Sequence, residues 1–167
     1  MFMVKIIRLN NKDISKFRRL FINIFDEGFS YYPKSAKSFI LRSWTPSKIK
    51  VKLATENRLF LMAEENSVPV GLLVGKKYLS GLSTILWLGV LKKFRGKGIG
   101  KMLVFRWEAW SVANKALRLR AATTNPENDS FYTKLGYQKS AKTWKNDWGT
   151  KQIVYLKNPN LLKPRLF

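Results

Sequence analysis

Glycines at 96, 98 and 100 alternate with Arg95, Lys97, Ile99 and Lys101, just beyond the apolar run Leu88-Gly89-Val90-Leu91 and the basic step Lys92-Lys93-Phe94. Residues without a Cβ let successive backbone N–H groups converge on one concavity, and a helix starting beyond them adds the positive end of its dipole. A phosphate or pyrophosphate is the ligand such a cradle takes. Arg95 can bind two phosphate oxygens at once, and Lys97 and Lys101 add charge at the same spot.

Other phosphate loops fit less well. A Walker loop needs Ser or Thr after its lysine, and Gly100-Lys101 is followed by Met102. The dinucleotide fingerprint needs two residues before its last glycine, and here there is one. What the residues do match is Arg-x-x-Gly-x-Gly, filled by Arg95, Gly98 and Gly100. Thirty residues after Arg95 stands Asn125, followed by Tyr132 seven positions on and by Gly136 and Tyr137 at plus eleven and plus twelve. Together, the two spacings resemble those of the GNAT superfamily of acetyl-CoA-dependent N-acyltransferases.

The resemblance implies an α/β (α+β) fold: a mixed, mostly antiparallel sheet of six to seven strands flanked by about four helices, its fourth and fifth strands splayed around the pantetheine arm. It implies acetyl-CoA as cosubstrate, and no metal is expected in a chain without His or Cys. The contacts it implies run from Leu88, Gly89 and Val90 to the loop residues Arg95, Gly96, Lys97, Gly98, Ile99, Gly100 and Lys101, and on to Asn125, Asn128 and Tyr132. Asn128 departs from the family, where alanine is common. In the implied reaction an amine attacks the thioester directly, the Val90 N–H faces the oxyanion, and Tyr132 returns a proton to the departing thiolate. A phenol of pKa about 10 suits a thiol of about 8.5 because the two values are close. Packing of a helix residue is the plainer account of Tyr132, as helix capping is of Asn125.

A base is found by elimination among ten acidic residues. Glu127 and Asp129 suit a helix start, Glu108 the polar line of a helix, and Asp147 a turn. Glu27, beside an aromatic bend, is then the first candidate, with Glu64 or Glu65 at the end of the second strand next. The glutamate that some relatives carry on the fourth strand has no counterpart here. An α-amino group of pKa about 8 is therefore an easier acceptor than a lysine of about 10.4.

Composition narrows the class. The chain has 167 residues, enough for one domain over 1–158 with a basic tail at 159–167. Without cysteine or histidine there is no disulfide framework, no thiol nucleophile and no common zinc ligand set. No long apolar run suggests a membrane span, and the cytoplasm is the expected compartment. The basic residues number 32 against 10 acidic ones, a net charge of +22. Coenzyme A needs only those near the loop. The surplus fits either a solubilising surface or a polyanionic partner such as tRNA, the ribosome or another nucleic acid. No membrane partner is expected, and a homodimer is left open.

The elements that must position these residues follow from periodicity. A strand over 3–9 leads to a helix from about 13 to 28, capped by Asn10 or Asn11, with Ile14, Phe17, Leu20, Phe21 and Phe25 on one face. An aromatic bend holds Tyr31 and Tyr32, and a second helix spans 35–44. Tyr31, Tyr32 and Trp44 line the acceptor site by resemblance, or pack between the helices. The stretch 48–57 is a short helix or a loop. A hairpin, 58–65 and 68–77, turns at Asn66-Ser67. The fourth strand covers 84–91, and the helix over 98–114 carries a polar line at 97, 101, 108, 111 and 115, its other faces largely buried. A strand over 116–122, a helix opened by Asn125 and Pro126, and an antiparallel pair, 137–144 and 151–157, complete the chain.

Two functions compete. One is an N-acetyltransferase transferring acetyl from acetyl-CoA to a small amine, a protein amine or aminoacyl-tRNA. The alternative is a non-catalytic scaffold of the same fold that binds nucleic acid or senses coenzyme A, against which the intact Tyr132 and the complete loop argue.

Overall fold

The computed structural model describes residues 3–29 and 31–161. Met1, Phe2 and most of the expected tail lie outside them. The chain gathers into two compact units, one formed by residues up to Gly75 together with Trp87–Trp107, the other by Lys76–Leu86 and the residues from Glu108 onward.

In the first unit, strand β1 (Val4–Arg8) ends at Asn10, whose side chain accepts the Lys12 N–H at 2.8 Å and opens a 3₁₀ turn into helix α1 (Ile14–Gly28). Ile14, Phe17, Leu20, Phe21, Ile24 and Phe25 form its buried face, at the spacing that a core-facing helix requires. Helix α2 (Lys34–Ser43) follows the aromatic bend, and Pro46 at the first helical position starts α3 (Pro46–Leu53). Strands β2 (Arg58–Glu65) and β3 (Val68–Lys77) form the expected hairpin. Asn66 and Ser67 both take positive φ, 50° and 64°, the conformation that a two-residue hairpin turn demands. β2 pairs antiparallel with β1, with Val4 opposite Glu65 and Arg8 opposite Leu61.

Strand β4 (Leu82–Val90) and helix α4 (Ile99–Ala113) run from one unit into the other. In the second unit the start of β4 lies parallel to β5 (Arg118–Thr123), registered from Leu82 opposite Arg118 to Thr84 opposite Arg120. β5 then pairs antiparallel with β8 (Lys151–Lys157) from Leu119–Lys157 to Thr123–Ile153. Helix α5 (Asp129–Lys134) follows a 3₁₀ turn at Pro126–Asn128. The strand order is β1-β2-β3-β4-β5-β8-β6, where β6 is Gln138–Lys139, and β7 (Trp144–Lys145) pairs with β8.

Among the described residues the sheet has eight strands rather than six or seven, because the stretch expected as one strand over 137–144 is two short ones, β6 and β7. Between them the Ser140 hydroxyl accepts the Lys142 N–H at 3.2 Å, a side-chain turn that competes with the ladder. Among the described residues there are five α-helices, where about four were expected, and α3 shows that the stretch 48–57 is largely helical.

Helix α4 corrects the expected pattern. Its polar line is not a solvent face: Glu108 is 2% exposed and Ser111 fully buried, as are Val104 and Trp107 on the same arc. Met102, Ala109 and Ala113, assigned to the buried side, are exposed. Inside the second unit Ser111 meets Ser83 at 2.7 Å. Glu108 Oε1 accepts from the Lys157 ammonium at 2.8 Å and from the Tyr137 hydroxyl at 3.0 Å.

Candidate acetyl-transfer site

The loop is built from backbone conformation first. β4 ends at Val90, a 3₁₀ turn occupies Lys92–Phe94, and Gly96 and Gly98 both sit at φ +79°. L residues avoid that region, and no atom lies within 4 Å of a Cβ built at either position. The concavity is therefore open on the side that a side chain would fill. Gly100 already belongs to α4, whose first intrahelical bond runs from the Met102 N–H to the Gly98 carbonyl at 3.0 Å. The N–H groups just before it are those a helix start leaves to a ligand or water. An anion is the group this terminus attracts.

The charged side chains around the loop are partly committed. Arg95 Nε donates to the Val90 carbonyl at 2.9 Å. Lys97 pairs with the buried Glu65 at 3.2 Å and stands 5.1 Å from the centre of the Phe94 ring. Lys101 lies over Phe105. Two of the candidate bases have partners as well: Glu27 Oε2 accepts the Lys92 N–H at 2.7 Å, and Glu64 is paired with Lys16. Glu27 thus ties the end of α1 to the turn following β4.

Phe21, Ile24, Phe25, Phe29, Leu72, Trp87 and Leu88 line a small apolar hollow, with room for about one water molecule. The Trp87 ring meets Phe21, Phe25 and Phe29 edge-on at 5.2, 6.0 and 5.5 Å, the geometry that aromatic quadrupoles favour. Trp44 stacks on Phe21 at 4.8 Å and is 6% exposed, so its ring is core rather than an open wall. Tyr31 remains exposed and Tyr32 half-buried. Gly89 is a close approach: a Cβ there would fall 2.2 Å from an Ile24 methyl. No side chain could stand at that point of β4 without moving α1.

In the second unit, Tyr132 on α5 is 5% exposed. Its ring stacks on Tyr155 at 4.8 Å and meets Tyr137 edge-on at 6.0 Å. Asn125 caps the 3₁₀ turn, accepting the Glu127 N–H at 3.0 Å and donating its own N–H to Thr123 Oγ1 at 3.1 Å. Asn128 Nδ2 donates to the same hydroxyl at 2.9 Å. Thr123 thus organises both asparagines, a role that its place at a strand end did not signal. Asp129, expected to cap the helix, instead accepts from the Tyr155 hydroxyl at 2.9 Å and pairs with Lys139 at 3.2 Å. Those bonds hold its carboxyl below the usual carboxylate range, the Tyr155 bond contributing most. Burial, then the bond to Asp129, push the Tyr155 phenol up to about 12. Tyr137 is likewise pushed up, by burial first and by the Glu108 charge next.

Among the described residues no group of acidic side chains is placed to hold a metal ion. No helix among them is long and apolar enough to cross a membrane.

Several solved structures share this architecture. The PaiA N-acetyltransferase from Thermoplasma acidophilum, solved with coenzyme A, superposes with a TM-score of 0.77 at 21% identity, covering 93% of this chain and 99% of that one. The ribosomal-protein-S18-alanine N-acetyltransferase from Escherichia coli gives 0.71 at 14% identity over 99% of both chains. Aminoglycoside 6'-acetyltransferase type Ii gives 0.69 at 16% identity over 96% and 99%. Identities this low speak for the fold. Membership rests on the sequence model of the acetyltransferase (GNAT) family, which matches residues 18–137, and with the loop and sheet in place the chain belongs to that family of acyltransferases.

Proposed function

We propose that the protein transfers an acetyl group from acetyl-CoA directly to an amine. The observation that carries this reading is the open loop at Gly96 and Gly98 leading into α4. Its backbone amides would take the diphosphate, with Arg95 and Lys101 adding charge. Leu88, Gly89 and Val90, on the part of β4 beyond its registered pairing with β5, would offer backbone to the pantetheine arm. In the reaction a C–N bond forms and the C–S bond breaks. The Val90 N–H would stabilise the oxyanion, the amine gives up a proton, and Tyr132 supplies one to the thiolate. Glu27, an exposed carboxylate, is the proposed base, with Glu64 second because Lys16 already holds its charge. Asn125 and Asn128 contribute through the turn that Thr123 organises.

Engagement of both bases favours acceptors that need little deprotonation, hence α-amino groups and small amines over lysine. Thiol release from acetyl-CoA, measured across a polyamine, an aminoglycoside, an alanine-terminated peptide and an aminoacyl-tRNA, tests this order. Tyr132→Phe lowers kcat on the best of these by roughly ten- to a thousandfold. An unchanged rate removes Tyr132 from the mechanism, and absence of coenzyme A binding in calorimetry removes the function.

One observation favours a nucleic-acid-borne acceptor. Lys48 and Lys52 on α3 donate to the carbonyls of Arg42 and Ser43, each at 2.9 Å, which gathers these cations at one corner with Arg58. Burial, then the charges of Arg58 and Lys48, lower the Lys52 pKa. Like charges held together this way suit a phosphodiester chain. Activity on aminoacyl-tRNA that falls steeply with salt, while activity on a small amine does not, would assign the corner to the substrate.

A further inference from the structure

Tyr132 is enclosed by two other tyrosines, and each of these is moored by its hydroxyl to a carboxylate on a different element. Tyr155, on β8 and fully buried, lies against the face of the Tyr132 ring with the planes 27° apart. Its hydroxyl donates to Asp129, at the start of the helix that carries Tyr132. Tyr137 presents its ring at 72° to that of Tyr132 and donates to Glu108 on α4. Glu108 is in turn held by Lys157, which also donates to the Leu135 carbonyl at 2.7 Å. The Tyr132 carbonyl receives the N–H groups of both Leu135 and Tyr137, at 3.1 Å each.

Apolar side chains of similar volume would pack this space at no loss of stability, because burying an ion pair and two phenols carries a desolvation cost. What the polar version adds is direction. A hydroxyl lies on the ring axis, so its bond fixes where the ring points while leaving ring flips free. With both neighbours fixed in that sense, the Tyr132 ring has one orientation to take.

We propose that Tyr155 and Tyr137, moored to Asp129 and to the Glu108–Lys157 pair, are positioning residues that aim the Tyr132 phenol for proton transfer. This rests on the reading of Tyr132 as proton donor. Two carboxylates at different sites thereby act on the reaction through the rings that pack against Tyr132.

A double-mutant cycle on thiol release from acetyl-CoA, with the panel amine that reacts fastest, decides the matter. Tyr155→Phe keeps the ring and loses the mooring. It lowers kcat by about three- to tenfold with the KM for acetyl-CoA changed less than about twofold, and it loses nothing further in a Tyr132→Phe background. Equal losses in both backgrounds, or a raised KM at constant kcat, overturn the positioning role while Tyr132 keeps its own. No loss from Tyr132→Phe alone overturns the proton-donor reading and this proposal with it. Should Tyr155→Phe not fold, the partly exposed Asp129 carries the same comparison: Asp129→Ala behaves as above, and Asp129→Asn, which keeps an acceptor for the hydroxyl, loses less than Asp129→Ala. Equal losses from the two overturn it.

Discussion

The loop at 95–98 and the polar knot around Glu108 both use lysine and backbone polar groups, to opposite ends. In the loop the glycines are exposed, their φ angles are positive, and open space faces them. In the knot, Glu108 and Lys157 are both more than nine-tenths buried, and the acceptor atom Glu108 Oε1 is shared between an ammonium and a phenol. The loop takes a backbone conformation that glycine alone adopts without strain, and it leaves the space where side chains would stand open, as a ligand-binding device does. The knot is satisfied from within and has no need of a ligand. An open backbone therefore points to a ligand from outside, and charge closed on itself points to partners inside the fold.

That contrast is broken most forcefully at Glu108. Glu108→Ala leaves the Lys157 ammonium buried beside the Leu135 carbonyl and takes the acceptor from Tyr137, at a cost of about 3–5 kcal/mol. For a chain of this size the melting temperature falls on the order of 10 °C, which thermal unfolding followed by circular dichroism measures. Removing both charges together, in Glu108→Leu with Lys157→Met, recovers most of the loss, since no unpaired ion remains. A double variant as unstable as the single one would mean that the pair stabilises outright, and the comparison would have to be redrawn.

Gly98 tests the other side. Gly98→Ala forces a Cβ onto a backbone at φ +79°, a cost of roughly 1–2 kcal/mol. The added methyl meets no protein atom within 4 Å, so the penalty is conformational. Coenzyme A affinity by calorimetry weakens about tenfold, while the melting temperature moves by a few degrees at most. Unaltered affinity would separate the loop from the cofactor. The expected pair of outcomes is complementary: Glu108→Ala lowers stability and spares coenzyme A binding, whereas Gly98→Ala does the reverse.

The same contrast explains what could be read from residues alone. The loop was legible because glycine spacing encodes backbone conformation locally, and so was the turn at Asn66-Ser67, where both φ angles are positive. The buried face of α1 was legible because its polar and apolar arcs differ sharply. Helix α4 offered no such division. It is apolar on most sides, so a line through 101, 108, 111 and 115 looked like the water-facing one. Only its ends are: Lys101 and Lys115 are exposed, while Glu108 and Ser111 lie inside. Val104, an apolar residue on that same line and fully buried, is the sign that this arc faces inward. Partners far apart in sequence settle such a case, and Lys157 is 49 residues from Glu108. At the candidate site the residue types were legible but their commitments were not. Glu27 on a backbone amide, Glu65 on Lys97 and Asp129 on Tyr155 are long-range pairings that no local pattern records.

The smallest effect concerns Tyr155 and is read from pH. Its folded pKa of about 12 stands above the unfolded value of 10. The unfolded chain therefore releases this proton first as pH rises. The stabilisation is complete below pH 10 and is lost as pH climbs from 10 towards 12. Asp129 behaves oppositely: with its folded pKa lowered from 3.8, its contribution is present above that value and fades under acid. Tyr155→Phe costs about 1 kcal/mol at neutral pH, the net worth of one ordinary hydrogen bond, because Asp129 is partly exposed and keeps Lys139 as a partner. Urea unfolding of both proteins between pH 8 and 12 shows the difference narrowing above pH 10, because ionisation of the free phenol favours the unfolded chain of the wild type and has no counterpart in the variant. A gap that stays constant to pH 12 would show that the hydroxyl's bond to Asp129 contributes nothing to the fold. The mooring would then have to be judged on kinetics alone.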